Sequence, residues 1–146
     1  MMKSSLKSVL ISLVMFCAEC HAACTGSSNR PAQYFSIVFE KEHSDISPEQ
    51  AQRFGTWASE MLARFPLQQW LSISGDAMPN EVEPNALARR RAVEVAKLAL
   101  DRGLSIAPIE IKIEVGSVGN PNSYGSEGRS AFIQLSSGCP NDCCEK

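Results

Sequence analysis

The chain has 146 residues, about one domain's worth, with 14 basic and 16 acidic residues and a formal charge of −2. That balance argues against a basic nucleic-acid binder, and 44% hydrophobic residues argue against a disordered chain. Six cysteines are too few for a disulfide scaffold, so a hydrophobic core must carry the fold, with any bridges as reinforcement.

Lys3 and Lys7 precede an uncharged run from Val9 to Phe16, too short to span a bilayer and followed by small residues. This is the shape of a secretory signal over residues 1–22, with Cys20 and Ala22 as the small residues before the cut. A rival cut lies before Cys24, where His-Ala-Ala-Cys resembles a lipoprotein signal. Under the first cut the exported chain is expected to be soluble; under the second, a lipid on Cys24 would anchor it to a membrane. Removing residues 1–22 takes away Lys3, Lys7 and Glu19 and leaves 12 basic against 15 acidic residues, a mildly acidic exported chain. Its four cysteines, Cys24, Cys139, Cys143 and Cys144, lie at the two ends. In an oxidising compartment they predict two disulfides in one of three connectivities, tying the lead (23–33) to the tail (137–146). With His43 as the one remaining histidine, the thiols do not make a metal set, and neither metal nor cofactor is expected.

Within residues 34–136, Phe35, Ile37 and Phe39 alternate with Ser36, Val38 and Glu40 and predict a strand. Ser47-Pro48-Glu49-Gln50 is a helix start: serine caps, proline fits the first helical position, and glutamine can return the bond. Ala51, Phe54, Ala58, Met61, Leu62 and Phe65 then recur at helical spacing until Pro66. Trp70 to Ser74 predicts a second strand, running into a turn-rich loop from Gly75 to Asn80. A second helix is expected from Asn85 to about Arg102, closed by Gly103. Its polar stripe is Arg90, Glu94, Lys97 and Asp101, and its buried side is the small set Ala88, Ala92, Val95, Ala96 and Ala99. Ile109, Ile111, Ile113 and Val115 alternate with Glu110, Lys112 and Glu114 as a strand with one buried face. A glycine-, asparagine- and serine-rich loop over 116–128 leads to a last strand, Ala131 to Leu135. The order β-α-β-α-β-β predicts an α/β (α+β) sandwich, two helices on one face of a four-stranded mixed sheet.

An enzyme is not expected. There is no Gly-x-Ser-x-Gly elbow, phosphate loop or His-Glu-x-x-His motif. His43 and the carboxylates Glu40, Glu42 and Asp45 read as a solvated charged segment. The Arg89-Arg90-Arg91 run is more informative, because Arg91 falls on the helical line of Leu87, Val95 and Leu98 rather than on the polar stripe. A guanidinium there either pairs with an internal acid, for which Asp76 is the natural partner, or joins Asp76 in holding an amino-acid zwitterion.

The chain resembles the OmpA-like C-terminal domain, the peptidoglycan-associated module of bacterial envelope proteins. The resemblance is carried by the first strand with Ile46-Ser47-Pro48-Glu49, by Leu87-Ala88-Arg89-Arg90-Arg91-Ala92-Val93, and by Val115-Gly116-Ser117-Val118-Gly119-Asn120-Pro121 followed by Glu127-Gly128-Arg129. It implies a noncatalytic envelope protein that grips the diaminopimelate of the peptidoglycan stem. In such domains an aspartate after the second strand takes the ammonium and a helix arginine takes the carboxylate. The matching positions are Asp76 and Arg91, with Asn85 and Arg129 as further contacts. Three departures stand out: Ile73-Ser74-Gly75-Asp76 replaces Gly-His-Thr-Asp, Asn85 lies one place after the usual asparagine, and Gly128-Arg129-Ser130 replaces Asn-Arg-Arg. The alternative is a periplasmic protein-interaction module, of accessory or inhibitor type, on the same fold with its peptidoglycan site lost.

Overall fold

The computed structural model describes residues 31–116 and 128–138. The expected signal segment, Cys24, Cys139, Cys143, Cys144 and the loop positions 117–127 lie outside the described residues. Six elements run in the expected order: β1 (Gln33–Val38), α1 (Pro48–Arg64), β2 (Gln68–Ala77), α2 (Pro84–Asp101), β3 (Ile109–Val115) and β4 (Ser130–Ser137).

The strands form one mixed sheet in the order β1-β4-β2-β3. β4, last in sequence, is inserted between β1 and β2 and pairs antiparallel with both. β3 runs parallel to β2 at the opposite edge, as the helical crossover through α2 requires. Side chains alternate between the two faces of such a sheet. Ile37 of β1, Leu71 and Ile73 of β2 and Ala131, Ile133 and Leu135 of β4 meet Phe54, Ala58 and Met61 of α1 and Ala92, Val95, Ala96 and Ala99 of α2 in one core. Phe35, Phe54 and Trp57 form an aromatic cluster in it, with ring centroids 5.4 to 5.5 Å apart.

Ser47 caps α1, its hydroxyl accepting from the Gln50 N–H at 3.3 Å, with Pro48 in the first turn. The return bond from the glutamine side chain is not made. Gln50 instead bridges the backbone of Val38, its Nε2 donating to the carbonyl at 2.6 Å and its Oε1 accepting from the N–H at 3.1 Å, so it ties the helix start to β1. At the far end of α2, Gly103 has φ +86°. The Leu104 N–H returns to the Ala99 carbonyl and the Gly103 N–H to that of Leu100, both at 2.9 Å, which is the glycine stop expected there.

Several details differ from expectation. β2 does not end at Ser74 but continues through Ala77, because Gly75, Asp76 and Ala77 pair with Ile113, Glu114 and Val115. Gly75 belongs to close packing rather than to a turn. A Cβ there would lie 2.2 Å from the Ala88 carbonyl oxygen and 2.9 Å from the Ala92 Cβ, so the small face of α2 rests directly on the strand. α2 begins at Pro84, one residue before Asn85, and its cap is Glu83 in the left-handed region at φ 48° with no side-chain cap bond. On the edge strand β3 the burial of the apolar face is incomplete, with Ile111 40% exposed.

Candidate functional site

Strand β2 carries Asp76 to the end of the sheet, and α2 brings Arg91 against the same end. Asp76 shares its side of β2 with Ser72 and Ser74, the side that alternates away from the core residues Leu71 and Ile73. Its Oδ2 accepts from the Ser130 hydroxyl at 3.1 Å, whereas Oδ1 is buried without a hydrogen bond. Burial, reinforced by Glu114 directly opposite on β3, pushes the Asp76 carboxyl up to about 6, against the opposing pull of Ser130, Arg91 and the neighbouring Ser74 hydroxyl.

Arg91 is fully buried. All five of its N–H donors are used within the chain. Nε donates to the His43 carbonyl at 2.9 Å, and Nη1 donates to the Asp76 carbonyl at 2.8 Å and to Glu81 Oε2 at 3.0 Å. Nη2 donates to the Glu40 carbonyl at 3.1 Å and to Glu81 Oε1 at 2.7 Å. The guanidinium carbon lies 5.3 Å from the centre of the Phe39 ring. Asp76 and Arg91 therefore meet through the aspartate's backbone, and the carboxylate that fills the arginine fork is Glu81.

Glu81 reaches that position through a tight turn. The Glu81 N–H returns to the Met78 carbonyl at 3.0 Å, with Pro79 second in the turn, where its fixed φ is favourable. The turn swings the side chain back, so that Oε2 accepts from the Met78 N–H at 2.8 Å and Oε1 from the Glu42 N–H at 2.9 Å. Glu42 answers by accepting from the Val82 N–H at 2.8 Å. Burial alone would raise the Glu81 carboxyl, but Arg91 and the two backbone donors outweigh it and hold it at about 2.

Of the residues singled out in the sequence, Arg129 precedes Ser130, the hydrogen-bond partner of Asp76, and its carbonyl accepts from the Phe39 N–H at 2.8 Å. Asn85 lies elsewhere, in an open groove of about 650 Å³ lined also by Ala86, Arg89, Arg90 and Ile113. Two expectations need correction. An Asp76–Arg91 ion pair is not formed, because the Asp76 side chain is turned to the opposite face of the sheet. The segment Lys41 to Asp45 is not merely solvated charge: with Glu40 it forms the outer wall of the Arg91 cage. The Glu81 partnership was missed, although a basic residue on the apolar line of α2 demands an acid and the Pro79-Asn80 turn is the one that delivers it.

No protein-family model matches the chain, and no curated protein matches it. Solved structures do. The OmpA-like domain of FopA1 from Francisella tularensis superposes with a TM-score of 0.57 at 12% identity, covering 73% of each chain. The peptidoglycan-associated lipoprotein from Burkholderia pseudomallei gives 0.54 at 16% identity, over 69% of this chain and 89% of the other. The cell wall anchor of the type VI secretion system from Pseudomonas aeruginosa gives 0.51 at 16%, over 73% and 82%. With the strand order, the crossover and these likenesses together, the chain has the OmpA-like fold, in a divergent sequence.

Proposed function

We propose that this domain is a noncatalytic module of the cell envelope that binds peptidoglycan, with the Asp76 carboxylate receiving the ammonium group of a stem-peptide diamino acid such as diaminopimelate. The observation that carries the reading is Asp76 itself: a carboxylate at the end of β2 with one oxygen held by Ser130 and the other buried and unbonded. Such an oxygen gains a charge-assisted bond when an ammonium arrives. Similarity to a peptidoglycan-associated lipoprotein and a cell wall anchor supports the same ligand class. Arg129 is the second proposed contact, through its place beside Ser130, and Asn85 a third, through the groove at the start of α2. Arg91 holds the end of β2 by its bond to the Asp76 carbonyl, and a ligand carboxylate reaches its fork only by displacing Glu81.

Sedimentation of the mature protein with insoluble peptidoglycan tests this. Wild type is expected in the pellet, free diaminopimelate is expected to release it, and Asp76→Asn is expected to stay in solution. Because an ammonium needs the ionised carboxylate and the Asp76 carboxyl sits at about 6, binding is expected to weaken about tenfold between pH 7 and pH 5.

Glu81 seated in the Arg91 fork favours a second reading, a periplasmic protein-interaction module on the same fold whose cell-wall site is lost. Absence of wild type from the pellet selects it. In both readings the protein is exported, and a diacylglyceryl mass on Cys24 would place it on the outer membrane.

A further inference from the structure

The Arg91 cage has the composition of a receptor for a carboxylate. Four donors converge on the Glu81 carboxylate: Arg91 Nη1 and Nη2 at 3.0 and 2.7 Å, and the backbone N–H groups of Met78 and Glu42 at 2.8 and 2.9 Å. A paired guanidinium fork supplemented by backbone N–H groups is the arrangement that recognises a carboxylate from solution. Most of the cage does not depend on its occupant. Arg91 is anchored by three carbonyls, those of Glu40, His43 and Asp76, and Met78 follows directly on β2. The occupant arrives on a short surface turn, where Glu81 is buried while its neighbour Val82 is 68% exposed. Both loops that meet over the cage contain a non-glycine residue in the left-handed region, Glu42 at φ 63° and Glu83 at φ 48°. That conformation is unfavourable for a side-chain-bearing residue, and the shared carboxylate bonds offset it.

We propose that Glu81 is an internal ligand that closes a carboxylate-binding site, and that the site accepts small carboxylates from solution once the Glu81 side chain is removed. In the wild-type chain, an outside carboxylate and Glu81 compete for the same four donors, and the tethered group prevails. The site is then closed to any ligand that offers only a carboxylate, and selectivity passes to groups away from the fork. Since the Glu81 carboxyl is held at about 2, acidification within the range of a living cell does not open it.

The test is rescue of Glu81→Ala by acetate, read as thermal stability against chloride at matched ionic strength. Acetate is expected to raise the melting temperature of Glu81→Ala along a saturating curve, as a ligand that binds the folded state alone does. It is expected to leave wild type unmoved and to have no effect on Glu81→Ala combined with Arg91→Met. Glu81→Gln, which fills the space with an amide, is expected not to respond. Should Glu81→Ala not fold in chloride, its refolding yield in acetate becomes the readout. Absence of any acetate-specific gain in Glu81→Ala, an equal gain in wild type, or failure to recover folded Glu81→Ala in either salt overturns the proposal. Acetate carries neither an ammonium nor a sugar, so this result is independent of whether wild type sediments with peptidoglycan.

Discussion

Replacing Asp76 by Asn should make the protein more stable at neutral pH and remove a pH dependence. In the fold the Asp76 carboxyl sits at about 6, against an ordinary value of 3.8. A group raised by folding holds its proton more tightly in the native state. Its contribution is therefore most favourable below pH 3.8 and is lost as pH rises through 6. At 1.36 kcal/mol per pH unit the gap corresponds to about 3 kcal/mol, an upper figure because the residue is only partly buried. Asn is close in shape to the protonated acid and can keep the Ser130 bond, but it carries no charge to desolvate. Urea unfolding of both proteins from pH 3.5 to 8 checks this. The two should be nearly equal at the acid end and diverge toward neutrality, with Asn the more stable. Glu81, held at about 2 against 4.5, stabilises above pH 4.5 and loses that contribution as pH falls toward 2. It does so in both proteins, so the difference between them isolates Asp76. A stability difference that does not change with pH would refute the reasoning. A costly carboxylate at the end of a strand agrees with the binding role proposed for Asp76.

Arg91→Met should cost about 3–5 kcal/mol in urea unfolding, because it leaves Glu81 charged, buried and unpaired. Arg91→Lys should lose stability in the same direction, since three donors cannot serve the acceptors that five now serve. Gly75→Ala should destabilise by about 1–3 kcal/mol or more by forcing α2 off the sheet at Ala88 and Ala92, visible as a lower melting temperature. Gln33 pairs with Leu135, so the described parts of the two ends run side by side at one end of the sheet. If cleavage follows Ala22, Cys24 should pair with one of Cys139, Cys143 and Cys144, adding about 4 to 5 kcal/mol in the chain-entropy estimate. Four free thiols in non-reducing peptide mapping would reject that bridge.

The fold was legible wherever a residue's local preference and its tertiary role agree. Ser47 and Pro48 start a helix in any context that permits one, Gly103 stops one, and the alternation over Ile109 to Val115 matches a strand. Gly75 and Gln50 show the limit. A glycine before Asp76 reads as a turn because local propensity knows nothing of the helix that will lie on it; its cause is the Ala88 carbonyl, thirteen residues away. Gln50 satisfies the rule for a capping glutamine, yet two backbone groups of Val38 offer a better pair of partners than the helix end. In both places a contact across the chain outweighed a local one.

The candidate site was half legible for the same kind of reason. The helical wheel isolates Arg91 from its basic neighbours, and a buried guanidinium has to find an acid. The wheel does not say which acid. Asp76 is the nearer guess along the strand, but strand alternation turns its carboxylate to the face opposite the helices, and β2 runs three residues past Ser74 to keep that alternation through Ala77. With Asp76 committed to Ser130, the fork is filled by a carboxylate from the connection between β2 and α2, on the helix side of the sheet. Glu81 reaches it because the Met78–Glu81 turn reverses the chain just after the strand ends. The separation agrees with the proposed function. Of these two acids, Glu81 is ion-paired inside the fold and held at about 2 while Asp76 keeps an unbonded oxygen at about 6, so of this pair only the Asp76 carboxylate is left able to gain a partner. A ligand that depends on that carboxylate must bring a cation, and a ligand that depends on the arginine must first displace Glu81.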